Sequence, residues 1–144
     1  MDVPECVLPD PSVAECDAIQ LIADGSGIHL VMHSLQVDCP CPVCGARSAR
    51  VHSRYRRTIA DLPWAGLPVR ITLAVRRFFC DSEACPRRIF VERLSSFADA
   101  WARRTLRLAE VQREVSHIAG GSGGSRLCRA IGCPAGADLL IRSP

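Results

Sequence analysis

The segment Cys41-Pro-Val-Cys44-Gly45 constrains this chain more than any other. Two residues between the thiols let both sulfurs face one ion. A glycine directly after the second thiol lets backbone amides turn towards the sulfurs without a Cβ clash. A second pair, Cys80 and Cys85, lies at the end of an alternating stretch that closes at Phe79. A hairpin of the intervening residues would bring the two pairs together. Four thiolates with no open position make a closed structural site, in which the metal supplies folding free energy to a small module. Thiolates are soft ligands and select zinc. The 35 residues between the pairs exceed the common zinc-ribbon spacing. On spacing alone Cys39 could replace Cys41, His52 is a weaker rival ligand, and all of these cysteines could instead be small buried hydrophobes. Cys6, Cys16, Cys128 and Cys133 are expected to bind no metal.

The wider composition narrows the setting. The chain has 144 residues, nine of them Cys, and 48% are apolar, so it can bury a core as one ordinary domain or two small ones. No run of eighteen apolar residues exists, and the acidic start has neither the basic end nor the apolar stretch of a secretory leader. A cytoplasmic, nucleoid-associated protein is expected, where thiols stay reduced and favour metal over disulfides. Charge is uneven along the chain. Residues 1–38 hold seven acids and no Arg, residues 45–93 eleven Arg against four acids, and residues 94–144 seven Arg against four acids. The basic middle and end suggest a polyanionic partner, or else a solvated basic face.

Residues 1–17 read as an acidic, disordered tail. Residues 18–94 read as a β-rich metal-binding module with its zinc-finger core at 39–94, and residues 95–144 as helical. Residues 18–38 form a hairpin in which Asp24-Gly25 supplies positive φ. Residues 50–59 alternate imperfectly, and Pro63 and Gly66 break the pattern. Val69, Ile71, Leu73 and Val75 then alternate with Arg70, Thr72, Ala74 and Arg76, the clearest strand in the chain. Ile89 to Val91 could be another. From about Ser96 the period becomes helical through Trp101, Leu106, Leu108, Val111 and Val115. The glycines at 120–124 end that helix, a short helix follows over 125–131, Gly132 and Pro134 turn, and a third begins near Ala135. The fold class is therefore α+β: antiparallel β-hairpins forming a four-cysteine zinc module, followed by a small helix-turn-helix-like region. Trp64 is expected to cap the zinc-module core, or to stack on a base or sugar, and Phe78, Phe79 and Phe90 to lie in the core.

The ordered run Cys41-Pro-Val-Cys44-Gly, Arg50-Val-His-Ser-Arg-Tyr55, Asp61-Leu-Pro-Trp64, Val75-Arg-Arg-Phe-Phe-Cys80 and Cys85-Pro-Arg-Arg-Ile-Phe90, ending Glu92-Arg-Leu94, resembles the N-terminal zinc-binding region of the ISL-three family of insertion-sequence transposases. The resemblance is close over 39–94 and weaker beyond, through Ala102-Arg-Arg-Thr105. It implies that Cys41, Cys44, Cys80 and Cys85 hold a structural zinc. It also implies a helix-turn-helix, and then an Asp-Asp-Glu catalytic domain with two divalent metals. Such chemistry needs several converging carboxylates, and seven of the fifteen acids lie in the first 38 residues. The expectation is a DNA-binding front portion without its catalytic domain, hence no enzyme on its own.

The implied partner is double-stranded DNA, the terminal inverted repeats of an insertion sequence, during transposition. Arg47, Arg50, Arg54, Arg56, Arg57, Arg76 and Arg77 are the candidate phosphate contacts, since a planar guanidinium can donate two parallel bonds. Some of them could instead pair with Asp61, Asp81, Glu83 or Glu92. Arg54 and Arg56 would share a strand face, as would Arg70 and Arg76. The C-terminal helices would read bases, with Leu127 and Ile131 packed inside. Other readings are a zinc-stabilised interaction module that pairs with an intact transposase or itself, and an inactive remnant. Thiol redox chemistry fits poorly, because Cys41-Pro-Val-Cys44 opens no helix after a βαβ strand.

Overall fold

The computed structural model describes residues 16–142. The tail expected at 1–17 lies almost wholly outside the described residues. Seven strands and two helices follow: β1 (Cys16–Asp24), β2 (Gly27–Ser34), β3 (Cys39–Pro40), β4 (Arg47–Ser48), β5 (Val51–Trp64), β6 (Leu67–Phe79), β7 (Ile89–Val91), α1 (Leu106–Ala130) and α2 (Ala137–Ile141). The fold is α+β. The two long hairpins, β1–β2 and β5–β6, are antiparallel, but β2 and β6 join them in parallel, giving the order β1-β2-β6-β5. The third pairing, parallel, was not foreseen. β7 pairs with β6 at residues 77–79, beyond the last β2 partner.

Alternation along β6 drives this sheet. Val69, Ile71, Leu73 and Val75 are all buried, and their register partners Ile28, Leu30, Met32 and Ile59 lie in the same cluster. Leu94, Phe97 and Ala98 from the segment after β7 close this first core. Burying one side chain of this size contributes about 1.5–3 kcal/mol. Gly27, at φ 151°, marks a close approach: a Cβ there would lie 2.6 Å from the carbonyl oxygen of Pro68. The expected positive φ at the Asp24-Gly25 pair is therefore displaced to Gly27. Asp24 instead holds the turn through its carboxylate, which accepts from the Ser26 amide at 2.7 Å.

Two further expectations about this sheet are corrected. Pro63 does not end β5, because a register shift between Asp61 and Trp64 absorbs it on an edge strand. The turn falls at Ala65-Gly66, both at positive φ (50° and 77°), which suits a two-residue hairpin. Trp64 is 43% exposed at this tip, far from the cysteines in the fold, so it does not cap their core.

At the other end of the hairpin the buried side changes. Residues that face each other across a ladder share a face. A register shift between Val51 and Ser53 puts Val51 opposite Phe78, on the face away from the first core. There Phe78 and Phe90 pack with Cys39, Cys41, Cys80 and Cys85 into a second core. Phe79, expected in the core, is only half-buried on the outside of this module, edge-on to His52 with ring centroids 4.9 Å apart.

The helical region packs against the tip of β5. Residues 96–104 are loop and turns, and the helix starts only at Leu106 behind the N-cap Thr105. The glycine run interrupts α1 at Gly120 alone (φ 67°, ψ −177°); the helix resumes at once instead of after Gly124. Glycine costs helix stability of about 1 kcal/mol, but here it permits close packing. A Cβ at Gly121 would lie 2.7 Å from Ile141, and one at Gly124 3.0 Å from Leu140. The third core holds Leu108, Cys128, Cys133, Ala135 and Leu140, with Leu62 of β5 against it. Leu127 and Ile131, expected inside, are 43% and 39% exposed; Cys128 takes the interior position. Among the described residues no helix is long and apolar enough to cross a membrane.

Candidate metal centre and nucleic-acid interface

The sulfurs of Cys41, Cys44, Cys80 and Cys85 all lie within 4.8 Å of one another. Cys44 and Cys80 are 3.6 Å apart, Cys41 and Cys85 4.0 Å. Zinc–sulfur bonds of 2.3 Å in a tetrahedron place sulfurs about 3.8 Å apart, so the donor set fits zinc in kind and in spacing. Three chain segments build it. The 41–44 turn is closed by Gly45, at φ 75°, whose amide donates to the Cys41 carbonyl at 2.8 Å. Cys80 follows the end of β6, and its amide donates to the Arg88 carbonyl at 2.8 Å. Cys85 sits in the connection from β6 to β7, its amide bound to the Ser82 carbonyl at 3.1 Å.

Amides two residues on from three of these cysteines point back at the sulfurs: Val43 at Cys41, Ser82 at Cys80 and Arg87 at Cys85. Burial pushes the Cys41 thiol up, but the amides of Cys44 and Val43 and the thiols of Cys80 and Cys44 outweigh it, bringing the group down to about 7. For Cys80 the Ser82 amide acts downwards, yet burial and the three neighbouring thiols carry it up to about 12. Burial likewise raises Cys85. Thiols this close titrate as a coupled set, because ionising one raises the cost of ionising the next. Neither rival ligand joins the group. The Cys39 thiol donates to Gln36 Oε1 at 2.8 Å, and His52 Nδ1 lies 3.0 Å from Ser53 Oγ.

These features define a β module closed by a structural zinc, in which the metal ties a knuckle at 41–44 to the end of β6. Residues 38–86, which hold all four cysteines, match the family described as the zinc-finger of transposase IS204/IS1001/IS1096/IS1165. Over that segment, about a third of the chain, the sequence is similar to the N-terminal zinc finger of ISL-three transposases. No curated protein and no solved structure matches the chain.

The seven candidate arginines are not brought together. Arg47 pairs with Asp38 at 2.5 Å. Arg50 pairs with Asp81 and lies 4.4 Å above the Phe79 ring. Arg76 is bound by fully buried Glu92, at 2.6 Å, with the Gln36 carbonyl at 2.5 Å. Arg57 donates to the carbonyl of Ala102, and Arg77 stacks 4.6 Å over Tyr55, both on the side of the first core. Arg54 and Arg56 remain exposed on the opposite face and, among the described residues, form no salt bridge.

The same face, by register, carries Thr58 and Ala60 of β5, Arg70, Thr72 and Ala74 of β6, and His29, Val31 and His33 of β2. These three strands place no acid on it. His29 Nε2 lies 2.7 Å from Thr72 Oγ1, fixing the ring against the next strand. Arg70 and the two histidines were missed as candidates. Their alternation was visible, but which strands lie side by side was not.

Proposed function

We propose that this chain binds double-stranded DNA as the recognition portion of a transposase, with the terminal inverted repeats of an insertion sequence as target. The observation that carries the reading is the open sheet face. Arg54, Arg56 and Arg70 project from it without salt bridges among the described residues, beside a zinc finger similar to the transposase type that ties the end of the same hairpin. Cys41, Cys44, Cys80 and Cys85 hold the zinc and thereby the register of β5 on β6. The arginines grip phosphate, which gives affinity and strong salt dependence but little sequence information. Base readout belongs to the helical region, where the resumed half of α1, the turn at 131–136 and α2 form a helix-turn-helix whose second helix enters the major groove. Cutting and joining belong to a catalytic domain other than this zinc and helical region.

A titration by fluorescence anisotropy tests this, using zinc-loaded protein, an inverted-repeat duplex and a scrambled duplex at two salt concentrations. Tighter binding to the repeat is expected. Arg54→Ala with Arg56→Ala should weaken binding to both duplexes alike and lower the salt slope by about 2, at roughly 0.9 per phosphate contact. Absence of salt-sensitive binding to either duplex would overturn the reading. It would favour a second one: a zinc-stabilised interaction module that pairs with an intact transposase or a second copy. Ile118 and Ile141, 85% and 69% exposed on the helical region, favour that second reading.

A further inference from the structure

Trp101 is placed where packing gives it no reason to be. Its backbone is left-handed, at φ 67°, and its side chain is 83% exposed. A left-handed backbone is unfavourable for a residue with a Cβ, and an exposed indole leaves a large apolar surface in water. Its mount is nonetheless firm. On one side the Arg57 guanidinium donates to the carbonyl of Ala102. On the other, the Ala60 amide donates to the Arg103 carbonyl at 2.8 Å and the Thr105 amide to the Ala60 carbonyl at 3.0 Å. The loop is thus stitched to the edge of β5 directly beside the exposed ring.

Two depressions meet at this ring. One, of about 140 Å³, is floored by Tyr55, Leu73 and Val75 and rimmed by Arg87 and Arg93. The other, of about 660 Å³, runs past Arg103 to Ala60 and Arg70 of the open sheet face. Among the described residues Arg87, Arg93 and Arg103 make no salt bridge. An exposed flat ring on a firmly hydrogen-bonded loop, beside guanidinium groups without salt bridges among the described residues, suits a planar group attached to phosphate. Inside a duplex the base faces are covered by their neighbours, so away from a helix end such a ring finds a free π-face only at an unpaired base. Asp99 lies at both depressions, where its carboxylate can accept from an exocyclic amine and a bare phosphate cluster would be repelled.

We propose that Trp101 stacks on an unpaired nucleobase while Arg87, Arg93 and Arg103 hold the flanking phosphates, so that the protein grips a single-stranded stretch adjoining its duplex. This rests on the DNA-binding reading above and deepens it by naming a second form of the ligand. The charge around the ring favours nucleic acid over a protein partner.

The test uses the full zinc-loaded chain carrying Trp64→Phe, which leaves Trp101 as the sole indole. It is titrated with a blunt duplex and with the same duplex bearing a short cytidine overhang. Quenching of Trp101 well beyond that caused by the blunt duplex is expected with the overhang. Trp101→Ala should lose about five- to a hundred-fold in affinity for the overhang duplex with the blunt duplex unaffected, and Trp101→Phe should recover most of the loss. Equal binding and equal emission with both duplexes would overturn the proposal and leave the duplex reading standing. Binding to neither would overturn both. Emission that ignores DNA but shifts to the blue with protein concentration would overturn the proposal in favour of a contact between copies.

Discussion

The hydroxyl of Thr105 donates to Oδ1 of Asp61 at 2.7 Å, joining the start of α1 to a buried carboxylate on β5. The Thr105 hydroxyl oxygen in turn accepts the Leu108 amide at 3.2 Å and so caps the helix. Arg107 completes the junction through both carboxylate oxygens of Asp61. The first turn of α1 has no acid of its own. Asp61 supplies, from another element, the negative charge that a helix N-terminus favours. This junction sets where the helical region stands relative to the open sheet face.

Arg107→Ala is therefore expected to destabilise the protein by about 2–4 kcal/mol. It strands a fully buried carboxylate with Thr105 as its remaining side-chain partner, and loss of a buried charge's partner is costly. Thermal melting measures the loss. An unchanged melting temperature would show that the junction does not bind the helices to the sheet.

Zinc should be needed for the fold of the 38–91 segment. Cys80→Ser, or chelation of the wild-type chain, removes the tie between the 41–44 turn and the end of β6. With the metal gone, folding free energy goes with it. Loss of bound zinc by metal analysis, together with loss of amide protection along β5 and β6, is the expected outcome. Retention of both would rule out a structural role for the metal.

Gly132 should not tolerate a side chain. Its φ is 89°, and a Cβ would lie 2.6 Å from the Gly66 carbonyl oxygen and 3.2 Å from Pro63. Gly132→Ala combines backbone strain with a clash of the new Cβ against the Gly66 backbone, a cost of about 2–4 kcal/mol. Gly136→Ala, with nothing within 4 Å, is the matched control and should be far milder.

Alkaline pH should loosen the helical region. Burial, and then the neighbouring Cys128 thiol, push the Cys133 thiol up from 9.0 to about 11. The folded state therefore holds a proton that the unfolded state releases. This contribution to stability is complete below pH 9 and is lost as pH rises towards 11. Melting temperatures across that window should fall less for Cys133→Ala than for the wild type. Identical slopes would show that the buried thiol is not responsible.

Much of this was written locally. The Cys41–Gly45 knuckle and the alternation from Val69 to Val75 are short-range patterns whose meaning does not depend on distant partners. The errors arose where a distant partner overrode a local preference. Four glycines argue against a helix, yet the packing of Leu140 and Ile141 makes them serviceable inside one. Pro63 argues against a strand, yet an edge strand with a shifted register accommodates it. Arg76 stood as a phosphate contact or a partner of an acid such as Glu92, and only the pairing of β7 on β6 decided for Glu92.

The sequence by itself determined the composition of the metal site and the alternation of the long strands, because ligand type and period 2 are properties of neighbouring residues. It did not determine which arginines face a partner. That depends on which face of the sheet the first core and the zinc module each cover: the continuous register from Ser53 to Asp61 sets Arg54 and Arg56 on the face away from Ile59 and Ile71, while the shift at residues 51–53 turns Val51 to the zinc module. Side chains at a given spacing reverse faces when a strand slips by one residue. Only the assembled sheet, with its register pinned by zinc at one end and by the Asp61–Thr105 junction at the other, could assign Arg54, Arg56 and Arg70 to the open side.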